Sequence, residues 1–238
     1  MTDKYDIVID MKTIISNDAQ LVNFREIRMG KIAPKILYRS SHPVKDNKQE
    51  PIISVLANKA RIATVINLSD TMSGIYTKAF FAPWYNRLVQ INRVIAVGMD
   101  FSYSSQGFKR KLKESLEFML RTEGPWLIHC HAGVDRTGFV SMVLEALMGA
   151  SVDEIVNDYL LSFNSIFDSS IHSTNKTDAL VPMQLLSAMG GSQIITDQNL
   201  QSIAENYLRN TIKLSVEELD ALKSKLAGTL VISNSMIG

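Results

Sequence analysis

Trp126-Leu127-Ile128-His129-Cys130-His131-Ala132-Gly133-Val134-Asp135-Arg136-Thr137-Gly138 carries both the architecture and the chemistry of this chain. Trp126 to Cys130 reads as a strand buried on both faces, and Thr137 to Met148 is apolar nearly all round, as a helix packed on a sheet requires. Between them lies a short loop containing Gly133. Successive backbone N–H groups of such a turn converge on one point, and the positive end of the following helix dipole adds to them. A tetrahedral anion can be held there without a cationic cofactor.

Working outward, further strands are expected at Ile7–Ile9, Ile36–Arg39, Ile62–Leu68 and Arg93–Val97, each a short aliphatic or β-branched run between polar or Gly/Pro residues. Ser105 to Arg121 places Phe108, Leu112, Leu116 and Met119 at helical spacing, and Gly124-Pro125 stops that helix before the motif strand. Its Lys109, Arg110, Lys111 and Lys113 read as a solvated face. Alternation of strand, helix and strand favours an α/β fold with a central, mostly parallel sheet flanked by helices and the loop at its carboxyl edge. Ser151-Val152-Asp153-Glu154 and Ser215-Val216-Glu217-Glu218 have capping-box spacing and open helices through about Leu161 and to near Gly228, so the carboxy-terminal half is helical. Residues 164–195 are polar and weakly periodic, which suits a lid or a surface excursion.

No repeat or linker divides the 238 residues, so a single domain over 1–238 is expected. A net charge of +1 gives no field to draw in nucleic acid or an anionic membrane, and no apolar run is long enough to span one. Attraction for a charged substrate must therefore be local. One cysteine excludes an internal disulfide and a cysteine-rich metal site and suits a reducing compartment. With acids rather than a basic segment at Met1–Asp6, a cytoplasmic location is expected, signal-free export staying open.

In the loop, Cys130 is the candidate nucleophile, because a thiolate is stabilised by a helix amino terminus and a nearby cation. Arg136 offers a planar fork to two phosphoryl oxygens, in the ground state and as charge shifts in the transition state. Asp135 is the nearest carboxyl group for protonating the leaving oxygen and then for activating water against a phosphocysteine intermediate. Asp70, at the end of another strand, is the rival acid. Thr137 can donate a hydrogen bond to the departing thiolate. His129 suits a packed histidine that orients the loop, with proton transfer as the alternative. His131, Ala132, Gly133 and Val134 line the anion site, His131 by contact. No metal or other cofactor is called for.

The loop resembles the signature of the protein tyrosine phosphatase superfamily. Asp directly before Arg-Thr-Gly is similar to the atypical bacterial tyrosine and phosphoinositide phosphatases. Asn23-Phe24-Arg25-Glu26, Leu37-Tyr38-Arg39-Ser40, Thr64-Val65-Ile66-Asn67-Leu68, Asp158-Tyr159-Leu160-Leu161-Ser162 and Tyr207-Leu208-Arg209 agree with that narrower match. The resemblance implies Cys130 as nucleophile, Arg136 as phosphate ligand, Asp135 as acid and a phosphorylated protein or phosphoinositide as substrate. Two departures stand out. Val134 occupies a position where phosphoinositide-directed members commonly carry lysine, and Ile27-Arg28-Met29-Gly30 replaces the usual Gly-Gly. The first favours phosphotyrosine or dual-specificity protein substrates over phosphoinositides or inositol phosphates. A phosphate-binding protein without turnover is the remaining alternative.

Overall fold

The computed structural model describes residues 19–45, 48–80, 82–166 and 180–229, with the backbone alone at 164–166. Strands β1 (Arg25–Ile27), β2 (Leu37–Ser40), β3 (Thr64–Asn67), β4 (Val94–Ala96) and β5 (Trp126–His129) form one sheet in the order β1-β2-β5-β3-β4. β1 pairs antiparallel with β2; the other three pairings are parallel.

Strand side chains alternate between two cores, which is why β3, β4 and β5 read as largely apolar runs. Leu37, Ile66, Ile95, Trp126 and Ile128 enter one core with Phe108, Leu112, Phe139, Val143 and the carboxy-terminal helices. Tyr38, Val65, Val94 and Leu127 enter the other with Ile53, Ile75, Trp84, Tyr85 and Leu88. On this second face lie helices α1 (Gln49–Lys59), α2 (Met72–Ala79) and α3 (Pro83–Gln90). The first face carries α4 (Gln106–Arg121), α5 (Asp135–Leu147), α6 (Val152–Ile166), α7 (Leu180–Gly190), α8 (Leu200–Asn206), a π-helical turn Tyr207–Thr211 and α9 (Val216–Leu226).

Several boundaries have local causes. Ser105 caps α4 by accepting from Phe108 N–H, and Ser215 with Glu218 forms a complete capping box on α9, a device worth about 1 kcal/mol. α6 begins after Ser151, which exchanges the same pair of bonds with Glu154, and runs past Leu161 to Ile166.

β1 is not anticipated by sequence, nor are the short helices between β3 and β4. The strand expected at Ile7–Ile9 lies outside the described residues. Of the 164–195 stretch, residues 167–179 also lie outside them, while α7 is a core helix rather than a surface excursion: Leu185, Leu186 and Met189 are buried against the first face. The loops after β2, β3, β4 and β5 all leave the same edge, where crevices of open parallel sheets bind ligands.

Candidate active site

The loop from Cys130 to Val134 is shaped by what its carbonyls bond to. Cys130 C=O accepts from His129 Nδ1 (3.3 Å) and His131 C=O from His42 N–H (3.2 Å). Gly133 C=O accepts from Asn23 Nδ2 (3.0 Å) and Arg39 Nη2 (2.9 Å), and Val134 C=O from Gly138 N–H (2.6 Å) in the first turn of α5. In a planar trans peptide the N–H leaves opposite the C=O. The amides of His131, Ala132, Val134 and Asp135 therefore point away from these partners. Gly133 N–H bonds Cys130 Sγ at 3.3 Å. Gly133 adopts φ +75°, and any Cβ there would meet Ser40 C=O at 2.4 Å.

Cys130 is buried at the end of β5. Arg136 is buried in the first turn of α5 and gives Nη1 to Met99 C=O (2.9 Å), while its guanidinium lies 4.3 Å from the ring centre of Phe101, a half-exposed side chain. Arg136 Nε is buried without a hydrogen-bond partner, and no carboxylate among the described residues lies within ion-pair reach of this guanidinium. A buried cationic N–H left in that state favours an incoming oxyanion. Asp135 is exposed at the first position of the helix. Burial first, then its charge and that of Cys130, push the Tyr159 phenol up to about 12; Tyr103 is raised in the same way. Both phenols are thus within electrostatic range of Cys130 and Asp135.

Thr137 is fully buried, and its hydroxyl has no partner; among the described residues Gly133 N–H alone bonds the sulfur. Val134 is buried at the helix start and presents no charge. Ala132 is half-buried and His131 exposed at the rim, where partial burial, then Lys45, His42, Arg136 and Lys78, lower the imidazole pKa. The mouth is locally cationic.

Asp70 sits in a different kind of place. His42 Nδ1 accepts from Val44 N–H, so its proton is on Nε2, which donates to Asp70 Oδ2 at 2.5 Å. Lys78 Nζ bonds Oδ1 at 2.6 Å and Asn67 Nδ2 bonds Oδ2 at 3.0 Å. Burial would raise the Asp70 pKa, but these three donors outweigh it and hold the carboxyl well below its ordinary value. Asn67 also donates to Tyr85 Oη, which then donates to His129 Nε2 (3.0 Å). Burial foremost keeps His129 far below the usual imidazole value, so it is a neutral link between β3, α3 and the loop.

Sequence reasoning assigned no role to His42, Asn23, Arg25, Arg39 or Phe101. Four of them stand in or beside segments quoted for the family resemblance, which was the one signal available. In the structure those segments meet: Arg39 Nη1 bonds Asp158 Oδ2 at 2.5 Å, and Arg25 bonds Asp158 Oδ1 (2.9 Å), Asp158 C=O (2.6 Å), Ser162 Oγ (2.8 Å) and Asn23 Oδ1. Burial would lift the Asp158 pKa, but Arg39 and Arg25 bring it below the ordinary value; nearby Glu145, fully buried, is raised by burial and then by Asp158. Among the described residues no three His, Cys, Asp or Glu side chains gather as a metal site.

A family model described as the tyrosine phosphatase family matches residues 85–228. A protein of Cupriavidus necator assigned as a tyrosine-protein phosphatase is 29% identical over 101 residues, covering 39% of this chain and 37% of that protein. The matched segment is thus little more than a third of that relative's length. The core catalytic domain of a PP-IP phosphatase from S. cerevisiae, solved with citrate, is 20% identical with a TM-score of 0.42, covering 78% of this chain and 94% of that one. A second structure of that catalytic core gives the same identity and score over 79% of this chain.

Proposed function

Because this chain belongs to the tyrosine phosphatase family, we propose that it hydrolyses phosphate monoesters on tyrosine, or on tyrosine and serine/threonine, of protein substrates through a phosphocysteine intermediate. The observation that carries this reading is the loop itself: four of its carbonyls are bonded away from the amides beside Cys130, and the buried Arg136 keeps an unpartnered N–H. That arrangement supplies charge stabilisation to phosphoryl oxygens where it develops in the transition state.

In the first step Cys130 sulfur bonds to phosphorus as the ester P–O bond breaks, and Asp135 gives the leaving oxygen its proton. In the second, Asp135 takes a proton from water as that oxygen attacks phosphorus and the P–S bond breaks, returning the thiolate and releasing phosphate. Thr137, whose hydroxyl is uncommitted, supports the departing sulfur. Asp70 suits this work poorly, since a carboxylate held ionised by three donors has no proton to give. Phe101, half-exposed over the Arg136 guanidinium, offers aromatic surface beside the loop, and Val134 adds no cation, which favours an aryl phosphate. Lys45 and Lys78 near His131 favour the second reading, a phosphoinositide or inositol phosphate.

Turnover of phosphotyrosine peptide, phosphoserine peptide and phosphoinositide, measured in chelator, tests both. We expect the first to be fastest, vanadate to inhibit, and Cys130→Ser to abolish turnover while still binding substrate. Loss of activity in chelator with recovery on adding metal, or a Cys130→Ser variant that keeps much of it, would refute the mechanism.

A further inference from the structure

Among the described residues Gly133 C=O is the one loop carbonyl held by two side chains, and those side chains come from 110 and 94 residues away. We propose that Asn23 and Arg39 are positioning residues for the reaction: by fixing this carbonyl they aim the Val134 amide into the anion site. The proposal rests on the phosphatase reading but assigns work to residues that touch neither substrate nor thiol.

The braces belong to a closed ring. Asp158 Oδ2 holds Arg39, Arg39 holds Gly133 C=O, Asn23 holds the same oxygen, Arg25 holds Asn23 Oδ1, and Arg25 returns to Asp158 Oδ1. Each link fixes the next. Arg39 is fully buried, and its planar fork spans a carboxylate with one nitrogen and the loop with another, which a lysine ammonium on a flexible stem does not reproduce. Asn23 adopts φ 51°, a left-handed conformation that asparagine tolerates well. Its amide orientation follows from its partners: Arg25 can only donate, so Oδ1 faces Arg25 and Nδ2 faces Gly133. Without these donors Gly133 C=O is a buried acceptor with no partner, and the peptide relieves that state by rotating. Rotation would turn the Val134 N–H out of the site and bring a carbonyl dipole in, opposing an anion.

Asn23→Asp is the sharpest test. It preserves volume and keeps an oxygen for Arg25 but replaces the donor facing Gly133 with a second acceptor. Arg39→Lys keeps charge while losing the two-handed span. We expect kcat/KM to fall roughly ten- to hundredfold in each, equally for good and poor leaving groups, with the inhibition constant of inorganic phosphate rising by a similar factor. Alkylation of Cys130 separates aim from general damage. Iodoacetate is drawn by the anion site and iodoacetamide is not, so the ratio of their rates should fall about tenfold while the iodoacetamide rate stays within about threefold. If wild type binds phosphate yet turns over no ester, the phosphatase reading fails while this ratio still judges the braces. Wild-type phosphate affinity and alkylation ratio in Asn23→Asp would overturn the proposal. So would equal loss with both reagents, or failure of both variants to fold, since the pair would then be structural. If only Arg39→Lys fails to fold, Asn23→Asp, which leaves both Asp158 ion pairs in place, decides.

Discussion

Replacing Gly133 by alanine puts a number on the loop's geometry. Its φ of +75° lies in the left-handed region, which costs an L-residue about 1–2 kcal/mol. For a chain of this length that alone lowers Tm by about 2–8 °C. The larger effect comes from contact. A Cβ at this position would stand 2.4 Å from Ser40 O, 2.7 Å from Ser40 C and 2.8 Å from Ser41 N. All three are backbone atoms at the end of β2, so no side chain can swing aside. Relief requires the loop and the strand end to part by about 1 Å, and misplacement on that scale costs catalysis about 100-fold. Gly191 provides the control: it has φ +64° with nothing within 4 Å of an added Cβ, so Gly191→Ala bears the conformational cost without the collision. We expect both variants to lose stability, and Gly133→Ala alone to lose about 100-fold in kcat/KM for p-nitrophenyl phosphate and in phosphate affinity. A Gly133→Ala protein within threefold of wild type, or a Gly191→Ala protein equally impaired, would refute the reasoning.

Asp135→Asn should slow phosphotyrosine and alkyl phosphates at least tenfold more than aryl phosphates with very acidic leaving groups, since only the former need a proton. Asp70→Asn should show no such dependence, and the reverse pattern would move the acid to Asp70. Glu145→Gln addresses stability. A carboxyl raised by burial and by Asp158 contributes stability that is complete below its unfolded value of about 4.3 and is lost as pH rises toward the folded one. The variant should therefore gain on wild type in urea midpoint between pH 5 and pH 8; a difference that shrinks with pH would contradict the assignment.

What was legible in sequence follows from how local the signal is. β3, β4 and β5 are buried on both faces and write themselves as largely apolar runs, while β2 follows the aliphatic start Ile36-Leu37 with a buried Arg39 and Ser40. β1 has only Arg25, Glu26 and Ile27, and pairing with β2 is what makes it a strand. α2 and α3 are eight residues each and separated by a short turn before Pro83, too brief for a 3.6-residue period to declare itself. Cys130, Asp135 and Arg136 stood out as candidates because phosphate chemistry on one loop would need such residues at close spacing. Asn23, Arg39 and His42 did not, because nothing local to those residues specifies a partner; the sheet brings them to the loop. Asp70 stood out at a strand end, yet its commitment to His42 and Lys78 depends on tertiary contacts 28 and 8 residues away.

The distribution of partners explains how a chain of net charge +1 could select an anion. Beyond the Debye length of about 8 Å in physiological salt the field of surface charges is screened, so selection falls to groups at the mouth and floor of the site. There Lys78 pairs with Asp70, and Arg25 and Arg39 pair with Asp158. Arg39 is committed to the loop backbone and Asp158. Arg136 makes one bond to a neutral carbonyl and stacks on Phe101, so its charge is not neutralised by protein. Among the described residues the arginines that build the loop are thus paired with Asp158, while Arg136 has no carboxylate partner. If Arg136 receives phosphate as proposed, the pairing of Arg25 and Arg39 with Asp158 keeps that carboxylate from competing for its guanidinium.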